Sequence, residues 1–371
     1  MNEKKKHVSV AKTIAAIVGI IVLIFVIYIG VGFYKSFHNF IATGAGKGGV
    51  EDYDKRIEIW NTVAGNKAES KLDNMNIDYS KSNVVLASIS FVRGIVGTEY
   101  RDEEQSLDTF TYLYSIKGGY EKDTYEDEPY IIPYLVDGSD RAVIVVPGGG
   151  FGYKSMDGGT AEGKDIAVTL NENGISAFVL HWRCNPYEYP VPYLDFQRAV
   201  RYIRYHADDF HINPDKISAI GFSGGGNVIG TFINVIQGND FFPEDYQSDE
   251  IDAVDDTMEA ASMIYPALSF RFNVPMLFNM FDDELVRDPE KREECLKTCD
   301  LYRHISSQGT PQFIAYATKD SLVGMDETIK YIDTAKENGC DVEVVIAEGQ
   351  DHGFAQKYYM DQYLKWLGEI K

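Results

Sequence analysis

The segment that most constrains this chain is residues 216–236, KISAIGFSGGGNVIGTFINVI. A largely apolar, β-branched run ends in a cluster of glycines around one serine, and helical spacing follows at once. A strand that runs directly into a helix leaves no room for an ordinary loop, so the chain must turn sharply at Ser223. Gly221 and Gly225 stand two residues to either side, giving Gly-x-Ser-x-Gly in a strand–turn–helix context. Side chains at those two positions would collide in such a turn, and glycine has none to place there. The hydroxyl then projects beyond the end of the strand, above a helix N-terminus that favours developing negative charge. Ser223 is therefore a candidate nucleophile.

The rest of the chain supplies a matching frame. Apolar runs at 142–146, 176–182, 216–222, 261–268, 311–318 and 342–348 read as strands. Amphipathic runs at 163–174, 192–210, 227–236, 327–339 and 356–370 read as helices. Strands alternating with helices predict an α/β fold: a mostly parallel central sheet with helices on both faces. Residues 269–310 interrupt the rhythm and are a candidate cap. Residues 84–116 are also β-like, so the folded domain is expected to span 84–371, after a juxtamembrane linker at 36–83. The linker holds Gly44-x-Gly46-x-x-Gly49, the spacing of a dinucleotide fingerprint. No strand precedes it and no helix follows, so it reads as a spacer.

A serine hydroxyl needs a base. Of seven histidines, His7 and His38 flank an apolar span, His181 ends a strand, and His304 falls in the candidate cap. His206 and His211 bracket a helix end with Asp208 and Asp209, which reads as a solvated terminus before a metal cluster. His352, in GQDHGF, follows the strand at 342–348 on the carboxyl edge of the sheet, where open α/β folds place their sites. It is the expected base. Asp320, in TKDSLVG, directly follows the strand at 311–318 and is the expected carboxylate partner of the imidazole. Asp351 adjoins His352 in sequence, an awkward place from which to contact its ring. Oxyanion donors are expected from the backbone N–H of Gly224 and from PGGGF (147–151), with the N–H groups of Gly149 and Gly150 favoured. Tyr153, Trp182 and residues 269–310 are candidates to shape the pocket. This chemistry calls for no metal and no organic cofactor.

The N-terminus sets the expected location. Thr13 to Tyr34 is 22 residues without a charge, preceded by Lys4, Lys5, Lys6 and Lys12. A helix of that length crosses a hydrocarbon core of about 30 Å. The lysines predict a cytoplasmic N-terminus, hence a single-pass anchor with the folded domain outside the cell, or a secreted domain if the segment is cleaved near 42–45. Beyond residue 35 the chain carries 30 basic and 56 acidic residues. A surface that acidic repels phosphate backbones and argues against nucleic acid as a partner. Four cysteines without a C-x-x-C pair do not make a disulfide framework.

Taken together, VIVVPGGGFGY, GISAFVLHWR, YPVPYLDFQRAVRYIRYHADDFHINPDKISAIGFSGGGNV, TKDSLV and DHGF make residues 130–371 resemble the α/β-hydrolase superfamily. The likeness is to its carboxylesterase branches, the hormone-sensitive-lipase-like and bifunctional acetyl-xylan/feruloyl esterase groups. Pro147 stands where lipase-like members often have histidine, which favours the second group. The resemblance implies a serine carboxylic-ester hydrolase acting on a small-molecule or carbohydrate ester, acetyl or short-acyl. Two alternatives remain open from the sequence: a serine peptidase or lactone hydrolase, and a non-catalytic cell-surface binding module. Oligomeric state is not legible.

Overall fold

The computed structural model describes residues 12–31, 52–64, 129–151, 162–184, 187–305 and 309–370. The β-like stretch at 84–116, the glycines of 42–50 and Tyr153 lie outside the described residues.

Eight strands form one sheet: β1 (Ile57–Glu58), β2 (Tyr130–Tyr134), β3 (Ala142–Val146), β4 (Ser176–His181), β5 (Ile217–Phe222), β6 (Ala261–Ile264), β7 (Gln312–Ala317) and β8 (Val342–Ala347). Their spatial order is β1-β2-β4-β3-β5-β6-β7-β8. β2 pairs antiparallel with β1 and β4, and every pairing from β4 to β8 is parallel. The helices are α1 (Lys12–Val31), α2 (Lys164–Glu172), α3 (Val191–Tyr205), α4 (Gly224–Thr231), α5 (Asp283–Arg287), α6 (Pro289–Cys299), α7 (Met325–Glu337) and α8 (Met360–Glu369).

The sheet is covered on both faces, which is why β3 reads AVIVV without a polar residue. Ala142, Ile144 and Val146 enter one core with Phe196 of α3, Val228 of α4 and Tyr331 of α7. Val143 and Val145, pointing the other way, enter a second core with Ile166 of α2 and Tyr363 of α8. The chain passes from β3 to β4 on one side and then crosses back over β3 to β5 on the other. The carboxyl ends of β3 and β5 therefore flank the point where the winding reverses, the position at which such sheets leave a crevice.

Residues 52–64 lie within what the sequence presents as linker, and they belong to the sheet. Ile57 pairs with Ile131. Trp60 is 7% exposed and its indole N–H donates to Asp195 Oδ1 at 3.1 Å. A two-residue strand is too short to show a period, which is why this edge is not visible as a strand in the sequence. The candidate cap contributes α5, α6 and short 3-10 turns at Val274–Asn279 and Leu301–Arg303, and Leu296, Cys299 and Leu301 join the core shared by α3 and α4.

Helix α1 belongs to a different compact unit from the sheet. It is 20 residues long, with a mean hydropathy of 3.1 in its most apolar stretch. Apart from the half-buried Ile29, its large apolar side chains from Ile14 to Val31 are between 49% and 69% exposed. A helix apolar on every side has no polar face to offer water. A membrane anchor and a signal sequence share this character.

Asp195 of α3 is fully buried and binds Arg183, just beyond β4, through both carboxylate oxygens, the shortest contact being 2.6 Å to Nη2. It also accepts the Arg183 amide and the Trp60 indole. Removing the carboxylate would strand a buried guanidinium, so Asp195→Ala is expected to cost about 3–5 kcal/mol in urea unfolding. Glu369→Ala, which breaks the exposed pair with Lys365, should leave the midpoint unchanged.

Candidate active site

Ser223 sits between β5 and α4 with φ 51° and ψ −113°, a backbone region that residues with a Cβ seldom occupy. The neighbours hold it there. The Ser223 amide donates to Ile264 O at 3.0 Å, and its carbonyl accepts from the amides of Asn227 and Ala267. The flanking glycines have no alternative. A Cβ on Gly221 would lie 2.4 Å from the Gly225 carbonyl oxygen, and one on Gly225 would lie 2.1 Å from Val146 O.

His352 Nε2 lies 2.9 Å from Ser223 Oγ, and His352 Nδ1 lies 2.8 Å from Asp320 Oδ2. The other oxygen of Asp320 accepts the amides of Leu322 and Val323, which fixes the carboxylate. With Asp320 accepting from Nδ1–H, Nε2 is left to accept the serine proton. Asp351 does not meet the ring: its Oδ1 accepts the amides of His352 and Ser321, pinning the loops after β8 and β7 to one another. Burial opposes its charge, but those amides and the nearby His352 hold the Asp351 pKa below the usual carboxylate value.

The glycine loop after β3 is pinned at three points. Trp182 donates to Pro147 O at 3.1 Å, Gly148 N–H donates to Glu162 Oε2 at 2.7 Å, and Asn279 donates to Gly150 O at 2.8 Å. Gly148 packs against the serine turn so closely that a Cβ there would lie 2.9 Å from Ser223 Cβ. A Cβ on Gly224 would lie 3.2 Å from Gly150 N and 3.4 Å from Phe151 N. Gly149, Gly150 and Phe151 all have positive φ, 135°, 60° and 61°. Amides held this way beside a serine can stabilise an oxyanion without reorganising.

Several residues here carry no sequence signal. Glu162 is 4% exposed and accepts the Tyr265 hydroxyl at 2.9 Å on its second oxygen. Burial pushes its pKa up to about 7, against the pull of the Gly148 amide, the Tyr265 hydroxyl and His352. Asn279 reaches the loop from the candidate cap. Trp182, a candidate pocket residue, is instead fully buried and acts on the loop's backbone. The remaining described histidines make other contacts or none with the site: His181 stacks on Tyr130, His206 pairs with Asp209, His211 is exposed, and His304 Nε2 meets Lys297 O.

Residues 132–333, more than half the chain, match the BD-FAE family. The chain belongs to that family. An acetylxylan esterase from Xylanibacter ruminicola is 27% identical over 238 residues, covering 62% of this chain and 45% of its own length. An endo-1,4-beta-xylanase B from Butyrivibrio fibrisolvens is 33% identical over 109 residues, 28% of this chain and 16% of that protein. The chain thus spans less than half the length of either relative. Among solved structures, the acetyl ester-xyloside bifunctional hydrolase from Caldicellulosiruptor lactoaceticus aligns at 26% identity and TM-score 0.54, covering 65% of this chain and 86% of that one. The propionate-bound esterase Est2 from Thermogutta terrifontis aligns at 20% identity and TM-score 0.50, covering 65% and 88%. The BD-FAE chain described here has the α/β-hydrolase fold that its sequence leads one to expect.

The crowding at the serine turn gives a direct prediction. Gly225→Ala, with Val146 O in the way, is expected to destabilise the protein by about 3 kcal/mol or more. Gly174→Ala places a Cβ in open space at φ 77° and should cost only about 1 kcal/mol. Urea unfolding of both variants would measure the difference.

Proposed function

We propose that the protein hydrolyses carboxylic esters, acetyl or short-acyl, on carbohydrate outside the cell, with Ser223 as nucleophile, His352 as base and Asp320 as its orienting partner. The observation that carries this reading is the unbroken hydrogen-bond chain from Ser223 Oγ through the imidazole to Asp320. The likeness to an acetylxylan esterase and to an acetyl ester-xyloside bifunctional hydrolase supports the acetyl and carbohydrate parts.

In the first step His352 Nε2 takes the serine proton as Oγ adds to the ester carbonyl. The resulting oxyanion turns toward the N–H of Gly224 and those of Gly149 and Gly150. Asp320 stabilises the imidazolium, which returns its proton to the departing alcohol. Water then enters by the same route, His352 again taking a proton, and the acid is released. The steps use side chains, backbone amides and water alone. Helix α1, with the lysines before it, is proposed to anchor the chain with its N-terminus in the cytoplasm, so that the acidic folded body faces outward.

The test is hydrolysis of p-nitrophenyl esters of increasing chain length, and of acetylated xylan, by the full chain in detergent. Activity should fall steeply beyond short acyl groups. Ser223→Ala should lose roughly 10³-fold or more in kcat with little change in thermal unfolding. Equal turnover by Ser223→Ala and the unaltered protein would sink the mechanism.

A further inference from the structure

One buried carboxylate lies outside the mechanism yet touches both halves of it. Glu162 precedes α2, and its two oxygens point in different directions. Oε2 accepts the Gly148 amide, at the root of the loop that carries the expected oxyanion donors. Oε1 accepts the hydroxyl of Tyr265, which follows β6. The ring of Tyr265 stands edge-on to the imidazole of His352, with centroids 5.0 Å apart. Tyr265 is itself held at φ 38°, a left-handed conformation that costs energy for a residue with a Cβ and persists only where surroundings enforce it. Its amide donates to Ala315 O at 2.7 Å, and its ring packs on Phe354. It is therefore clamped between the β7 backbone and the loop bearing the base.

We propose that Glu162 is a positioning residue of the hydrolytic site, holding the glycine loop through Gly148 and the base through Tyr265 in one fixed spacing. The proposal rests on the ester-hydrolase reading above and adds a residue that acts through two others. Gly148 N–H can only donate, whereas the Tyr265 hydroxyl can donate or accept; the ionised carboxylate accepts from both, each bond strengthened by its charge. Protonation removes that charge, weakens the bond from Gly148 and leaves the acid to donate to Tyr265 Oη, which turns the tyrosine hydroxyl. The groups that face Glu162 are Gly148 N–H from the loop after β3, Tyr265 from the end of β6, and His352 and Tyr359 from the segment after β8, with Asp320 behind them. Its pKa, raised to about 7, places the change within the working range. The charge-assisted hold on both partners is present above that pH and weakens as pH falls through it.

The test compares the full chain with Glu162→Gln, a neutral isostere, and Tyr265→Phe, which keeps the ring and removes the hydroxyl. Protonation of Glu162 should steepen the acid limb of log kcat/KM for the unaltered protein. Glu162→Gln should remove that added slope and lower kcat about tenfold above pH 7, with KM changed less than about twofold, as for groups acting in the transition state. Tyr265→Phe should move the limb to higher pH, because the carboxylate loses a donor that lowers its pKa. A carboxylate with a structural role alone would lower the unfolding midpoint and leave slope and kcat untouched, and that result overturns the proposal. Failure of the unaltered protein to cleave any ester, with Ser223 unlabelled by a fluorophosphonate, overturns instead the hydrolase reading and this inference with it.

Discussion

There is no space for a Cβ atom at either end of the turn that carries Ser223, and much of the site follows from that closeness. The atom that crowds Gly225 is the carbonyl oxygen of Val146, the last residue of β3. Val146 pairs with Gly221 in the parallel register of β3 and β5. The same pairing that brings the two strands together therefore starts the glycine loop beside the serine. Ser223 and the amides of the glycine loop need no long-range search for each other, since adjacent strands deliver both to one edge.

The proposed base comes from farther across the sheet. Asp320 and His352 follow β7 and β8, which are neighbours in register at Ala317 and Ala347. Between them and β5 lies β6, and the residue that leaves β6 is Tyr265. Its ring fills the interval and rests against the imidazole. Each strand from β5 to β8 thus contributes one side chain to a continuous row: Ser223, Tyr265, Asp320 and His352. The loops after β7 and β8 are further joined through the carboxylate of Asp351.

Strands β3 to β8 and helices α2, α3, α4, α7 and α8 were legible because each is a continuous apolar run or an amphipathic repeat, whereas β2, α5 and α6 were not read as elements. Ser223, Asp320 and His352 were legible for a related reason: each directly follows a strand, and strand ends on a parallel sheet converge. Glu162, Tyr265 and Asn279 were not, because their roles lie in single contacts between segments distant in sequence. The Glu162–Tyr265 bond joins residues 103 apart, and the Asn279–Gly150 bond joins residues 129 apart. Nothing local distinguishes such a glutamate from one on a solvated helix. β1 escaped notice for want of length, and the two aspartates at 320 and 351 could be told apart only by the geometry that adjacency in sequence forbids.

The indole of Trp60 on Asp195 has a consequence for where this polypeptide can be cut. A fragment starting at β2 would retain every side chain of the serine, imidazole and carboxylate row. It would lack the indole that caps Asp195, the partner strand for Ile131, and the Ile59 carbonyl that receives Arg198. A fragment that keeps these contacts must therefore begin upstream of Ile57.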